Sequence, residues 1–369
     1  MCDNEFSTER LTKIFLDLAQ IDGLCGQEKL VADYITRFLK RLDLSPYEDN
    51  VKQYSGGNSG NVVCLIGTGG DRVFLSHMDT ARSTRNMKPV IQNGTIRSDG
   101  TTVLGVDNRA GIAALLYAVE FLIENKIPLR DCTLAFTVCE ETSMDGARYL
   151  SLNNGVKMGF VFDSAFEPGH FIHGTCGAVS FTISVHGRAS HSGLDPEKGI
   201  SAIQISTAAL SRLPVGKIND STIINIGTIH GGSAINVVPE KTKIRGEIRS
   251  MDVNSIEKTI DMIRNEFNKI IEAKGGSYDL EYTWDFKPYY VEKDKATYCE
   301  ALRALERVKL QAHPVIAWSG SDANYLNEKN IPTVNFGIGA RNPHSNDEYI
   351  KINDLKVSTA IALQLMMDS

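Results

Sequence analysis

The sequence contains no CxxC pair, no apolar run approaching the roughly 20 residues of a membrane-spanning helix, and no surplus of positive charge. Its seven cysteines (positions 2, 25, 64, 132, 139, 176 and 299) are odd in number. That argues against a disulfide framework and for thiols kept reduced in a cytoplasm. A net charge of -6 leaves no basic stripe for nucleic acid or an anionic membrane surface. The acidic start, Met1-Cys2-Asp3-Asn4-Glu5, lacks the charged-then-apolar layout of a secretion signal, so a cytoplasmic protein is expected. With 42% hydrophobic and 23% charged residues the chain is of ordinary globular composition, and 369 residues suit two domains better than one.

Hydrophobic periodicity divides the chain into two textures. Ser7 is placed to cap a first helix carrying Leu11, Ile14, Phe15 and Leu18. A second helix lines up Leu30, Val31, Tyr34, Ile35, Phe38 and Leu39, after a turn at Gly23–Glu28. Strands are expected over 61–66, 72–76, 133–138 and 159–162, an extended segment over 101–104, and a helix over 110–124. Such alternation predicts a mostly parallel sheet covered by helices. From Cys176 the order becomes β-α-β-β-α-β, with strands over 179–185, 221–229, 241–248 and 278–284 and helices over 199–213 and 254–273, a ferredoxin-like layer. After Lys287-Pro288 the first texture returns, with a helix over 295–309 and strands near Val315 and over 331–336. The expected architecture is an α/β domain (1–175 and 288–369) interrupted by a smaller α+β domain (176–287).

Asp107 stands where an extended segment gives way to a helix, between Gly105 and Gly111, with its carboxylate free to enter a cleft. Alone, it reads more readily as a helix cap. His77 and Asp79 leave one face of a strand end, a spacing that suits a metal-bound imidazole oriented by a carboxylate, or simply a polar loop junction. Glu140-Glu141 follows an apolar strand, where adjacent carboxylates repel unless a cation or proton intervenes; a solvated turn is the plainer reading. Asp163 ends another apolar strand, at the edge where open α/β sheets bind ligands. His344 sits in a glycine-rich loop and could be incidental. Jointly, strand ends delivering His, Asp, Glu, Asp and His form an oxygen- and nitrogen-donor set suited to two zinc ions bridged by Asp107, with cobalt or manganese as substitutes.

These segments (Ser76-His77-Met78-Asp79-Thr80, Gly105–Gly111, Glu140-Glu141, Val161-Phe162-Asp163 and Asn342-Pro343-His344-Ser345) together resemble the dizinc aminopeptidase and deacylase superfamily, most closely its peptidase T, or tripeptide aminopeptidase, branch. Ser319–Ala323 and Ile331-Pro332-Thr333 extend the likeness over nearly the whole chain. The resemblance implies a zinc-exopeptidase-like catalytic domain with an inserted lid and dimerisation domain. It implies that His77, Asp107 and Asp163 hold one zinc and that Asp107, Glu141 and His344 hold the other. Asp79 would orient His77, Glu140 would be the general base, and a cis peptide would follow Asp107. In the inserted domain His191 would polarise the substrate, often from the partner subunit, with His230 as its rival. Asn236 and Arg249 would hold a substrate carboxylate. Arg109 departs from the lysine expected in that branch and is assigned a supporting role.

The implied activity is release of the N-terminal residue from short peptides by a homodimer, through water activated by two zinc ions. A deacylase or dipeptidase acting on N-acyl amino acids shares the chemistry and is the alternative. A catalytically silent binding fold is the third reading, and the intact set of buried-type carboxylates argues against it.

Overall fold

The computed structural model describes residues 7–368; the acidic start, Met1-Cys2-Asp3-Asn4-Glu5, lies outside the described residues. Ser7 accepts a hydrogen bond from the amide of Arg10 and so caps the helix Thr8–Ala19, whose Leu11, Ile14, Phe15 and Leu18 are buried. The next helix, Lys29–Arg41, buries Val31, Ala32, Ile35, Phe38 and Leu39. Leu30 was expected on that face but points outward and is 63% exposed. The buried face is about 100° wide and spans Val31 and Ala32, so Leu30, roughly a further 100° on the far side of Val31, falls outside it.

Two compact units are formed. One draws on Met1–Gly174, Tyr290–Ala317 and Ser321–Ser369, the other on Thr175–Tyr289 and Trp318–Gly320.

The first unit is built on a nine-stranded sheet. Its centre is four parallel strands in the spatial order Cys132–Thr137, Arg72–His77, Met158–Ser164 and Thr333–Gly337. Antiparallel strands flank them, Val62–Ile66 on one side and His170–Thr175 on the other. The parallel strands are buried on both faces and so read as continuous apolar runs such as Val73-Phe74-Leu75 and Phe160-Val161-Phe162. Helix Val106–Glu124 is apolar nearly all round and buried along its length, packed by Thr8–Ala19 and Ile352–Met366.

The segment 101–104 is not a strand. The strands nearby are Pro89–Gln92 and Thr95–Ser98, a hairpin whose Asn93 and Gly94 both take positive φ. Asn-Gly between alternating residues is a strong hairpin signal, and here the competing pattern of Thr101-Thr102-Val103-Leu104 obscured it. Tyr349–Lys351 joins this hairpin as a third strand.

In the second unit an antiparallel sheet of five strands has the order Gly216–Asn219, Thr222–Gly231, Lys241–Ser250, Gly177–His186, Ser277–Phe286. The last four strands have the ferredoxin-like arrangement, and Gly216–Asn219 is an added edge hairpin. Helices Ala202–Leu210 and Val253–Lys274 supply Ile205, Ile256, Ile260, Ile263 and Phe267 to a core shared with Phe181, Ile183 and Ile244. Trp318–Gly320 joins this unit through Thr175 Oγ1, which donates to Ser319 O at 2.6 Å, and Arg249 Nη1, which donates to Trp318 O at 2.7 Å. Among the described residues no helix is long and apolar enough to cross a membrane, and the six described cysteines are all free thiols.

Phe160 is fully buried in the first unit's sheet, 5.5 Å from the ring of Phe74 and 6.3 Å from that of Phe336. Phe160→Ala removes those contacts and leaves a cavity, and the expected loss is about 3–5 kcal/mol. Denaturant unfolding monitored in the first unit checks this; a loss below about 1 kcal/mol would contradict the packing described.

Candidate metal centre

Four parallel strands necessarily end on one edge of their sheet, and the chemistry collects there. His77 closes Arg72–His77, Asp163 is the penultimate residue of Met158–Ser164, and Glu140-Glu141 follows Cys132–Thr137. His344 comes from the loop after Thr333–Gly337, and Asp107 from the start of helix Val106–Glu124. Gly105 begins that helix in the left-handed region, and Asp107 and Asn108 are non-helical within it. The Asp107–Asn108 peptide bond is cis. Gly111 lets the helix approach the neighbouring strand closely, since a Cβ there would lie 2.1 Å from Phe162 O.

Asp107 presents its two oxygens to two different sets of partners. On one side His77 Nε2 lies 3.0 Å from Asp107 Oδ1 and 3.0 Å from Asp163 Oδ1. On the other, His344 Nε2 lies 3.3 Å from Asp107 Oδ2 and 3.1 Å from Glu141 Oε2. Each half therefore contains one imidazole nitrogen, one private carboxylate and one oxygen of the shared carboxylate. Asp79 is fully buried beneath them. Its Oδ1 is 3.3 Å from His77 Nδ1 and accepts from the Glu140 amide at 3.0 Å, while Oδ2 accepts from the Glu141 amide at 3.1 Å. Glu140 Oε2 is 3.9 Å from His77 Nε2.

The electrostatics of these side chains taken alone call for a cation. Burial, then the charge of Asp163, pushes Glu140 well above the ordinary carboxylate range. Burial likewise raises Glu141 and Asp163. Burial opposes a charge on His77, yet Asp163, Asp107 and Asp79 together raise it well above the usual imidazole value. His344 rises to about 10 through its contacts with Asp107 and Glu141. Protons are thus held where a divalent ion would replace them, and the donor set of imidazole nitrogens and carboxylate oxygens without thiolate fits zinc.

The parts played by Glu348 and Asn335 escaped the sequence reading, and Asp322 entered it only within the Ser319–Ala323 likeness. Glu348 is buried and accepts from the amides of Gly105 at 2.6 Å and Asp107 at 3.2 Å, which fixes the backbone carrying the shared carboxylate. Asn335 Oδ1 accepts from the amides of Asp163 and Ser164. Asp322 is buried with its Oδ2 accepting from Thr137 Oγ1 at 2.5 Å. A carboxylate in an apolar context was the available signal for Glu348, but the neighbouring Asp347 made the pair read as a surface loop. Arg109 is fully buried and spans the carbonyls of Met78 and Ile21, a supporting role under the strand end that carries His77.

The three substrate-binding candidates lie in the second unit. His191 Nδ1 accepts from the amides of Gly193 and Leu194, which leaves Nε2 to act. Asn236 is exposed, and its carbonyl accepts from Ser192 N. Arg249 is engaged by Glu247 through Nε and Nη2 and by Trp318 O through Nη1. The rival, His230, is exposed on strand Thr222–Gly231.

Residues 173–279 match the family described as Peptidase dimerisation domain, and residues 89–171 match M42 glutamyl aminopeptidase. The protein YqjE of Bacillus subtilis is 32% identical over 356 residues, covering 95% of this chain and 96% of its own length. The structure of aminopeptidase PepT from Bacillus cereus superposes with a TM-score of 0.91 at 30% identity, covering 98% of both chains. This chain is an M20 peptidase of the peptidase T-like branch. Other M20 relatives agree: a tripeptidase of Staphylococcus aureus superposes with a TM-score of 0.92 at 29% identity over 98% of both chains. Peptidase T of an Exiguobacterium species is 23% identical, covering 86% of this chain and 78% of its own. The YxeP protein of Bacillus subtilis, a dinuclear metal binding peptidase, shares the M20 fold at a TM-score of 0.75 and 17% identity.

Removing metal from this M20 site should make stability pH-dependent. Glu348 and Asp322 are each raised to about 7, in both cases chiefly by burial, and His344 to about 10. A group whose folded pKa is raised stabilises the fold at low pH and loses that contribution as pH climbs to the folded value. The chelated protein should therefore melt at a lower temperature at pH 8 than at pH 5.5, with the loss concentrated between about pH 4 and 7 and extending higher through His344. Added zinc should raise the melting temperature most at pH 8, because it binds only the folded site. A chelated protein equally stable at both pH values would refute the charge balance described.

Proposed function

We propose that this chain is a dizinc exopeptidase that releases the N-terminal residue from short peptides, with tripeptides as its principal substrates. The observation that carries the reading is Asp107, which offers Oδ1 to His77 and Asp163 and Oδ2 to His344 and Glu141, a shared ligand between two matched half-sites. In the proposed assignment His77, Asp107 and Asp163 hold one zinc, and Asp107, Glu141 and His344 hold the other. When bound, the two ions supply Lewis acidity that makes water a nucleophile at neutral pH and polarises the scissile carbonyl.

Glu140 is the general base. Its carboxylate is nearly buried and pushed upward in pKa, so it can take a proton from water, retain it, and deliver it to the leaving amine. Asp79 keeps the His77 ring in one orientation by accepting from Nδ1 and holds Glu140 in place through its amide. His191 is assigned to polarise the substrate carbonyl through Nε2, and Asn236 and Arg249 to receive the peptide carboxylate. For Arg249 that role requires exchanging a contact with Glu247 or Trp318 for the substrate. The dimerisation-domain match over residues 173–279 supports a homodimer paired through the second unit. A cytoplasmic setting is in keeping with the free thiols.

Hydrolysis of matched free tripeptides, dipeptides and N-acylated amino acids, with chelator and then zinc or cobalt, tests the substrate class. Zinc-restored cleavage centred on free tripeptides is expected; restoration on acylated substrates alone would move the chain to deacylase chemistry. The roles separate by mutation. Glu140→Gln should retain two equivalents of metal and lose about 10²–10⁴-fold in kcat, whereas Asp107→Ala should lose metal itself. Near-normal turnover in Glu140→Gln would remove Glu140 as the base.

A further inference from the structure

We propose that Cys25, Glu28 and Cys139 form a separate site for a thiophilic divalent cation such as zinc or cadmium. Among the described residues only two groups of His, Cys, Asp or Glu side chains bring three ligand atoms within 4.8 Å of one another. One is His77, Asp107 and Glu141, and the other is this trio.

Glu28 gives the trio its claim to a ligand. The residue is fully buried, and its Oε1 accepts from the amides of Gly26 at 2.9 Å and Cys139 at 3.1 Å. Its Oε2 is equally buried and has no hydrogen-bond partner. A buried carboxylate oxygen without a partner is costly, and a cation would satisfy it while leaving the two amide bonds to Oε1 in place; only the bond that the Cys139 thiol donates to Oε1 would be given up. The sulfurs stand beside this carboxylate, with Cys139 Sγ 3.4 Å from Glu28 Oε1. Cys25 Sγ lies 2.8 Å from Thr142 Oγ1, and Cys25 is only half-buried while Thr142 is exposed, so an ion can enter from solvent on that side.

Two sulfurs and one oxygen, with a fourth position open, are a donor set that zinc and cadmium accept and that the oxygen-seeking ions magnesium and calcium do not. Binding releases the two thiol protons to solvent. An occupied site would tie the 23–28 turn directly to Cys139, the residue before Glu140, so a thiophilic ion in excess would act on the segment that carries Glu140 and Glu141. The site stands on these three residues and does not depend on the peptidase assignment.

The test is titration of the full-length protein, its His and carboxylate centre first filled with zinc, with cadmium as the probe. One equivalent should bind with the ultraviolet thiolate-to-cadmium charge-transfer band, which imidazole and carboxylate ligands do not produce. Cys25→Ser and Glu28→Gln should each raise the apparent Kd roughly tenfold or more, while Cys299→Ser leaves it unchanged. The proposal is overturned by the absence of the band in the unaltered protein, or by a band of unchanged affinity in Cys25→Ser. Because the readout is thiolate absorbance, it stands or falls whatever the peptide assays give.

Discussion

Everything at the strand edge depends on one carboxylate being shared in two directions. Asp107 can do this because the backbone beneath it is held from outside the helix: Glu348 grips the amides of Gly105 and Asp107, and Asn108 Nδ2 donates to Phe162 O at 2.8 Å. An aspartate acting only as a helix cap would turn its oxygens back toward the first amides of the helix. Here the capping bond is made by the next residue, Asn108, whose Oδ1 accepts from the amide of Gly111 at 3.1 Å, and both oxygens of Asp107 face imidazoles. The capping role and the ligand role were the two readings open to it, and Asn108 has relieved it of the first.

The rest of the site follows from topology and burial. Parallel strands deliver His77, Glu140, Glu141 and Asp163 to one edge, while the small three-stranded sheet fixes the loop bearing His344 through Tyr349, which pairs with Arg97 and Arg341. His344 takes a positive φ, unusual for a residue with a side chain, so its place depends on that anchored loop rather than on local preference. A concentration of buried acids of this kind destabilises a fold unless a cation accompanies it, and the site is best regarded as a metal-dependent piece of structure as much as a reactive one.

Much of this was legible in the chain itself. Strand ends carrying His77, Asp163 and the Glu140-Glu141 pair stood out because charge after an apolar run is costly without a purpose. The helices and the ferredoxin-like order of the second unit followed from periodicity. Residues whose partners are remote did not stand out: Glu348 is 243 positions from Gly105, and Asn335 is 172 from Asp163. Nothing local distinguishes such a side chain from a loop residue. The antiparallel flank at His170–Thr175 was missed for a related reason, since His170, His173 and Gly174 dilute the apolar signal that the central strands carry. Leu30 shows the opposite error, where local hydrophobicity suggested a buried position that the packing does not use.

Asp79 holds the His77 ring with one oxygen and, with both, the successive amides of Glu140 and Glu141. Parts of both half-sites, His77 and Glu141, and the proposed base Glu140 therefore rest on a single buried residue, whose backbone carbonyl also stands 3.1 Å from His77 Nδ1. Drift at this position cannot adjust one of these properties while sparing the rest. Diversification of such a centre has to proceed from its periphery, through the loops around it, while the buried frame stays fixed.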